Sequence, residues 1–237
     1  MTAVRYPKPL FAWSYSGLSM YENCPRKYWA VKIKKVDDGN AYNRQGDGEH
    51  VSIERFFKMN MPLAEVLLPL QPLFERIRAA PGETYTEQQL CIDERFVPCK
   101  YKDWDNAWLR GAGDLVKVNG SVATYFDWKS GKVRKEIEDQ VDLTGLLLLR
   151  HYPAVQTIKA GVLYYRHGVM VPHIVQRADE QRLWNSFFAR LAPLKESYET
   201  DSWPATPNPL CGWCPYRACP HNTTAEREAR DAAKAAK

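Results

Sequence analysis

Long apolar runs are missing from this sequence. No uninterrupted one exceeds four residues; Leu146 to Leu149 reaches back to Leu143 only if Thr144 and Gly145 are tolerated, and Arg150 ends it. A membrane span needs about 20 apolar residues, so none is expected. Met1 to Leu10 contains two prolines and no apolar core, which argues against a secretory signal. Both absences point to a cytoplasmic, reducing setting. No Gly-x-x-x-x-Gly-Lys-Ser/Thr phosphate loop occurs, so no ATP hydrolysis is expected of the chain itself. There is no internal repeat. Nor is there a large excess of one charge: 33 Lys and Arg against 28 Asp and Glu leave +5, a mild balance that an enzyme holding both nucleic acid and acidic metal ligands can have.

The apolar share, 45% of 237 residues, is enough for a sizeable core. The expected organisation is one domain over residues 1–222, with a polar, frayed helix at 223–237. Ser16 to Ser19 starts a helix that Cys24-Pro25 interrupts, and Arg26 to Lys34 follows as a second. Gly46 to Gly48 reads as a turn. His50 to Lys58 has helical spacing, with His50, Ile53 and Phe57 on one face. Leu63 to Ala79 is helical with breaks at Pro69 and Pro72. The pattern then turns to strands at Gln89 to Val97, Trp108 to Val118 and Val122 to Lys129. Asn119-Gly120 between the last two is a hairpin signal. Glu136 to Arg150 reads as a helix, Ile158 to Arg166 and Val169 to Gln176 as strands, and Asp179 to Tyr198 as a helix. A Pro- and Cys-rich loop, Pro204 to Pro220, precedes the helix from Thr223 to Lys237. This order implies an α/β (α+β) fold, a mixed central sheet flanked by helices.

The sharpest chemistry surrounds the Asn-Gly turn. Asp127-Trp128-Lys129 is the sole Asp/Glu-x-Lys in the chain, and it ends a strand. Alternation puts Asp127 and Lys129 on one side and Trp128 on the other. Antiparallel pairing brings Asp114, from Gly111-Ala112-Gly113-Asp114, close to Asp127. Two carboxylates and an ammonium at one spot suit a divalent cation and phosphodiester hydrolysis. The cation takes carboxylate oxygens and acidifies a water, while the lysine steadies developing charge. Glu94 is a candidate extra acid.

Three cysteines are tightly spaced, Cys211-x2-Cys214-x4-Cys219, and Cys24-Pro25 lies far upstream. Cys91 and Cys99 read as small core residues. Disulfides do not fit a reducing setting. The spacing alone leaves open a zinc ion, held by three cysteines with Cys24 or His221, and an iron–sulfur cluster on four. Near Cys24, the run Arg26, Lys27, Tyr28 and Trp29 mixes basic and aromatic side chains, as a DNA-gripping segment does.

These motifs resemble the PD-(D/E)XK nucleases, in the RecB-like branch. There Gly-x-x-Asp on one strand is followed by Asp-x-Lys-Thr/Ser-Gly on the next, as in Asp127-Trp128-Lys129-Ser130-Gly131. The resemblance implies that Asp114, Asp127 and Lys129 are catalytic. It implies that Asp114, Asp127, the Trp128 carbonyl and His50, after Gly48, hold Mg2+ or Mn2+. Gln140 matches a DNA-contacting glutamine, although the tyrosine expected four residues later is Thr144. The phrase Tyr21-x-x-Cys24-Pro25-x-Lys27-Tyr28 and the downstream cysteines are similar to nucleases of the AddB and CRISPR-adaptation types. That similarity implies a 4Fe–4S cluster on Cys24, Cys211, Cys214 and Cys219, though the last spacing is shorter than in those relatives. The expected function is a DNA exonuclease acting on ends or single strands in recombination, repair or phage DNA processing. The alternatives are a non-sequence-specific endonuclease and a non-catalytic, metal-stapled nucleic-acid-binding module.

Overall fold

The structure, a computed structural model, describes residues 9–37, 41–134 and 137–235. In chain order the elements are α1 (Tyr15–Asn23), α2 (Pro25–Tyr28), α3 (Ala41–Met59), α4 (Gln71–Ala79), β1 (Glu83–Ile92), β2 (Leu109–Asn119), β3 (Val122–Lys129), α5 (Glu138–His151), β4 (Thr157–Tyr164), β5 (Val169–Gln176), α6 (Glu180–Thr200) and α7 (Thr224–Ala235). Most of these match the sequence reading to within a few residues. Gly46 to Gly48 is not a turn, because α3 begins upstream and runs through it. The segment from Leu63 divides into a 3-10 turn, Glu65–Leu70, and α4, where Pro72 is tolerated in the first turn because it has no N–H to leave unpaired. Glu136 and Lys237, the expected ends of two helices, lie outside the described residues. Among the described residues, no helix is long and apolar enough to cross a membrane.

The chain divides into two compact units. Among the described residues, one consists of 9–12, 41–134 and 137–187, the other of 13–37 and 188–235. The first holds a five-stranded sheet in the order β1-β2-β3-β4-β5. All neighbours are antiparallel except β3 and β4, which are parallel and joined by the α5 crossover. The β2–β3 turn is tight: Asn119 pairs with Val122, and Gly120 supplies the positive φ, +58°. β3 is therefore central and covered on both faces. On one face, Trp128 packs with Ile53, Phe56, Phe74 and Leu115. Its ring lies parallel to Phe126 and Phe57 and edge-on to Phe74. On the other face, α5 buries Val141, Leu143 and Leu146 to Leu149. Gly145 allows α5 to approach β5, since a Cβ there would sit 2.9 Å from Val175.

The second unit brings sequence-distant segments together. Ser14 caps α1, accepting from Gly17 N–H at 3.2 Å. Tyr21, Tyr28, Tyr198 and Trp203 form an aromatic cluster, and the Tyr21 hydroxyl bonds Ser197 and the Pro193 carbonyl. Pro25 opens α2, and Arg26 N–H donates to Pro204 O at 3.1 Å. α7 is tied back by Arg227, whose Nε donates to Gly212 O at 2.7 Å.

Candidate active site

β2 and β3 stay in register from the turn to Leu115 opposite Phe126, and the next residues are Asp114 and Asp127. There the Asp114 carboxylate replaces backbone pairing: its Oδ2 accepts from Trp128 N–H at 2.7 Å. Asp127 is 5% exposed. Its Oδ1 accepts from the Tyr125 hydroxyl and the Gln140 amide, each at 3.1 Å, and Lys129 Nζ lies 2.8 Å from Oδ2. Burial pulls the Lys129 ammonium down, but Asp127 more than offsets this, so its pKa ends above the usual value.

His50 and Glu87 complete the cluster. His50 Nδ1 is 3.9 Å from Asp114 Oδ2. Beside it, Glu49 accepts from the Tyr165 hydroxyl and from Arg166 at 2.7 Å, anchoring α3 to the end of β4. Among the described residues, His50, Glu87 and Asp114 offer three ligand atoms within 4.8 Å of one another. Burial, then Asp127, raises Asp114 to about 6. Burial, then Asp114, raises Glu87 to about 7. Crowded, partly desolvated carboxylates beside an imidazole are strained without a cation, and their oxygens suit a hard divalent one. The donor set therefore fits a divalent metal ion.

Glu87 was not legible as an acid of the site. It lies on β1 opposite Asp114, where the register has a gap, and its φ is +47°. Glu94, the acid expected from the sequence, stands in the turn after β1, because that strand starts and ends earlier than its apolar pattern suggests. Gln140 reaches Asp127 from the first turn of α5. Trp128 turns its ring into the core at 2% exposure and gives its N–H to Asp114.

In the second unit, Cys24, Cys211, Cys214 and Cys219 line one pocket, with Arg26, Lys27 and His221. Thr206 N–H donates to Cys24 Sγ and Asn208 N–H to Cys211 Sγ, each at 3.4 Å. The expectation that Tyr28 meets DNA is corrected: it is 3% exposed, and its ring stacks on Trp203. Helical periodicity sends it inward while Arg26 and Lys27 face the cysteine pocket. Trp29 is half-buried, with Arg26 and Lys34 over its ring and Tyr216 at its edge.

A central strand carrying an acid and a lysine, beside a second acid on its neighbour, defines the class of metal-dependent nucleases built on a mixed sheet. The model of one family, the PD-(D/E)XK nuclease superfamily, matches residues 12–220, and the chain belongs to that superfamily. A solved structure described as the crystal structure of SSO0001 has a TM-score of 0.46 and 13% identity, over 93% of this chain and 90% of that one. A likeness of that size bears on neither fold nor function. A search of curated proteins returns no match.

Proposed function

We propose that this chain is a DNA nuclease of the RecB-like kind, degrading linear DNA from its ends or as single strands. The supporting observation is the convergence of His50, Glu87 and Asp114 beside the Asp127–Lys129 pair. His50, Glu87, Asp114 and Asp127, with the Trp128 carbonyl, would hold Mg2+ or Mn2+. Such a cation supplies Lewis acidity at the scissile phosphate and an acidified water. Lys129 presents a fully charged ammonium to the oxygens that gain charge. Gln140 and Tyr125 hold Asp127 in place through its Oδ1.

The four cysteines would carry a 4Fe–4S cluster. Backbone N–H groups directed at Cys24 and Cys211 favour metal-bound thiolates over free thiols.

The test is digestion of end-labelled linear and circular single-stranded DNA, with and without Mg2+ or Mn2+, using Asp127→Asn as a control. Metal-dependent loss of the linear strand, absent in the variant, is expected. Equal cutting of the circle would replace the exonuclease reading with an endonuclease. Undiminished cutting by Asp127→Asn would remove the site assignment.

A further inference from the structure

The sheet face that bears the metal cluster continues beyond it. On β2, Gly111 and Gly113 turn towards α5 and β3: an added Cβ would meet Leu147 at the first and Tyr125 at the second. Alternation then places Arg110, Ala112 and Asp114 on the opposite face. Across the sheet, Cys91 stands opposite Arg110 and Gln89 opposite Ala112. Gln89 and Ala112 are both exposed. An open strip therefore leads from Glu87 and Asp114 towards Arg110, four strand residues or about 13 Å away.

Trp104 stands at the far end of this strip. It is 67% exposed, with the Arg110 guanidinium 4.1 Å from its ring centroid. The loop that presents it is firmly built. The Asp103 carboxylate accepts from the N–H groups of Asp105 and Asn106 and from the Asn106 amide. Asp93 accepts from the N–H groups of Arg95 and Val97. Lys100 and Lys102 are exposed in the same loop, and the Asp103 carboxylate stays charged there, its pKa held below the usual value first by the Asn106 side chain. An indole held out to solvent by a fixed loop and braced by a guanidinium suits a flat, stacking partner.

We propose that Trp104, backed by Arg110, is a stacking platform for one base of a single nucleic-acid strand whose backbone reaches the metal cluster along the Ala112–Gln89 strip. This rests on the nuclease reading above. Every base has a π face, so the grip would not depend on sequence. The guanidinium on the indole adds cation–π attraction. A duplex keeps its bases stacked on one another, and would engage the platform only where its strands part.

The test compares wild type with Trp104→Ala and Trp104→Phe. Binding of a fluorescent oligothymidylate and of an abasic strand of equal length is followed by anisotropy, with Ca2+ replacing the catalytic cation. Wild type should prefer the strand with bases by roughly tenfold or more. Trp104→Ala should bring that preference close to one, and Trp104→Phe should keep most of it. A merely structural role would weaken both strands together and lower Tm, so a preserved preference in Trp104→Ala overturns the proposal. Wild-type hydrolysis of bis(4-nitrophenyl) phosphate with Mn2+ tests the nuclease reading separately, because that diester has no base to stack. If it and DNA both stay intact, the nuclease reading fails first.

Discussion

Glu87 holds a left-handed backbone conformation that side chains other than glycine's rarely adopt, with its carboxylate beside another acid. Strain of that kind persists where the surrounding structure imposes it, and function is a common reason. Its raised pKa has a definite consequence. Glu87, at about 7, and Asp114, at about 6, hold their protons more tightly folded than unfolded. Their contribution to stability is fully present below about pH 4 and is lost as the pH rises through 6 to 7. A cation needs both deprotonated, so it binds and stabilises more as the pH rises through the same window. The Mn2+-induced rise in Tm should therefore be larger at about pH 8 than at about pH 5. Glu87→Gln should cut metal affinity at least about tenfold and flatten that dependence. Glu94→Gln should leave both as they are. A wild-type Tm rise independent of pH would show that these carboxylates do not take the metal.

α5 shows how a helix with one long buried face sets the site. Its first turn carries Gln140 to Asp127, and its buried face fixes where that turn sits. Gly145 is the point of closest approach to β5, where even one Cβ would press on the Val175 side chain. Gly145→Leu should destabilise the fold by about 1–3 kcal/mol through overpacking, read as a lower urea midpoint with unchanged m. Activity lost at temperatures where the variant is still folded would locate the effect at Gln140 rather than in global stability. The element was legible from its apolar run. Its proximity to Asp127 was not, because Gln140 was expected to face DNA.

The chain is organised so that an early segment from Trp13 and a late one from Phe188 build the unit that holds the four cysteines. Joining residue 24 to residues 211–219 closes a very long loop, which would restrict the unfolded chain as a disulfide does, and metal–thiolate bonds add to that. Protein purified without oxygen should be brown and contain iron and sulfide. Cys24→Ser should bleach it and leave the second unit open to proteolysis, while the sheet resists. Colourless protein with one zinc per chain would overturn the cluster.

The alternation of Asp127 and Lys129 against Trp128, the Asn119-Gly120 turn and the cysteine spacing are local patterns, so the sequence determined them directly. They set the central hairpin, its acids and the candidate metal-binding thiols. Tertiary structure alone decided what pairs across long loops. β1 reaches β2 only after the loop 93–108, and nothing local fixes which residue of β1 meets Asp114; that register selects Glu87 over Glu94. Tyr28 is decided in the same way. Its neighbours Arg26 and Lys27 share its local composition, but the Trp203 ring that buries it arrives from 175 residues downstream. Periodicity indicates that a face is buried, and only the folded chain supplies what buries it.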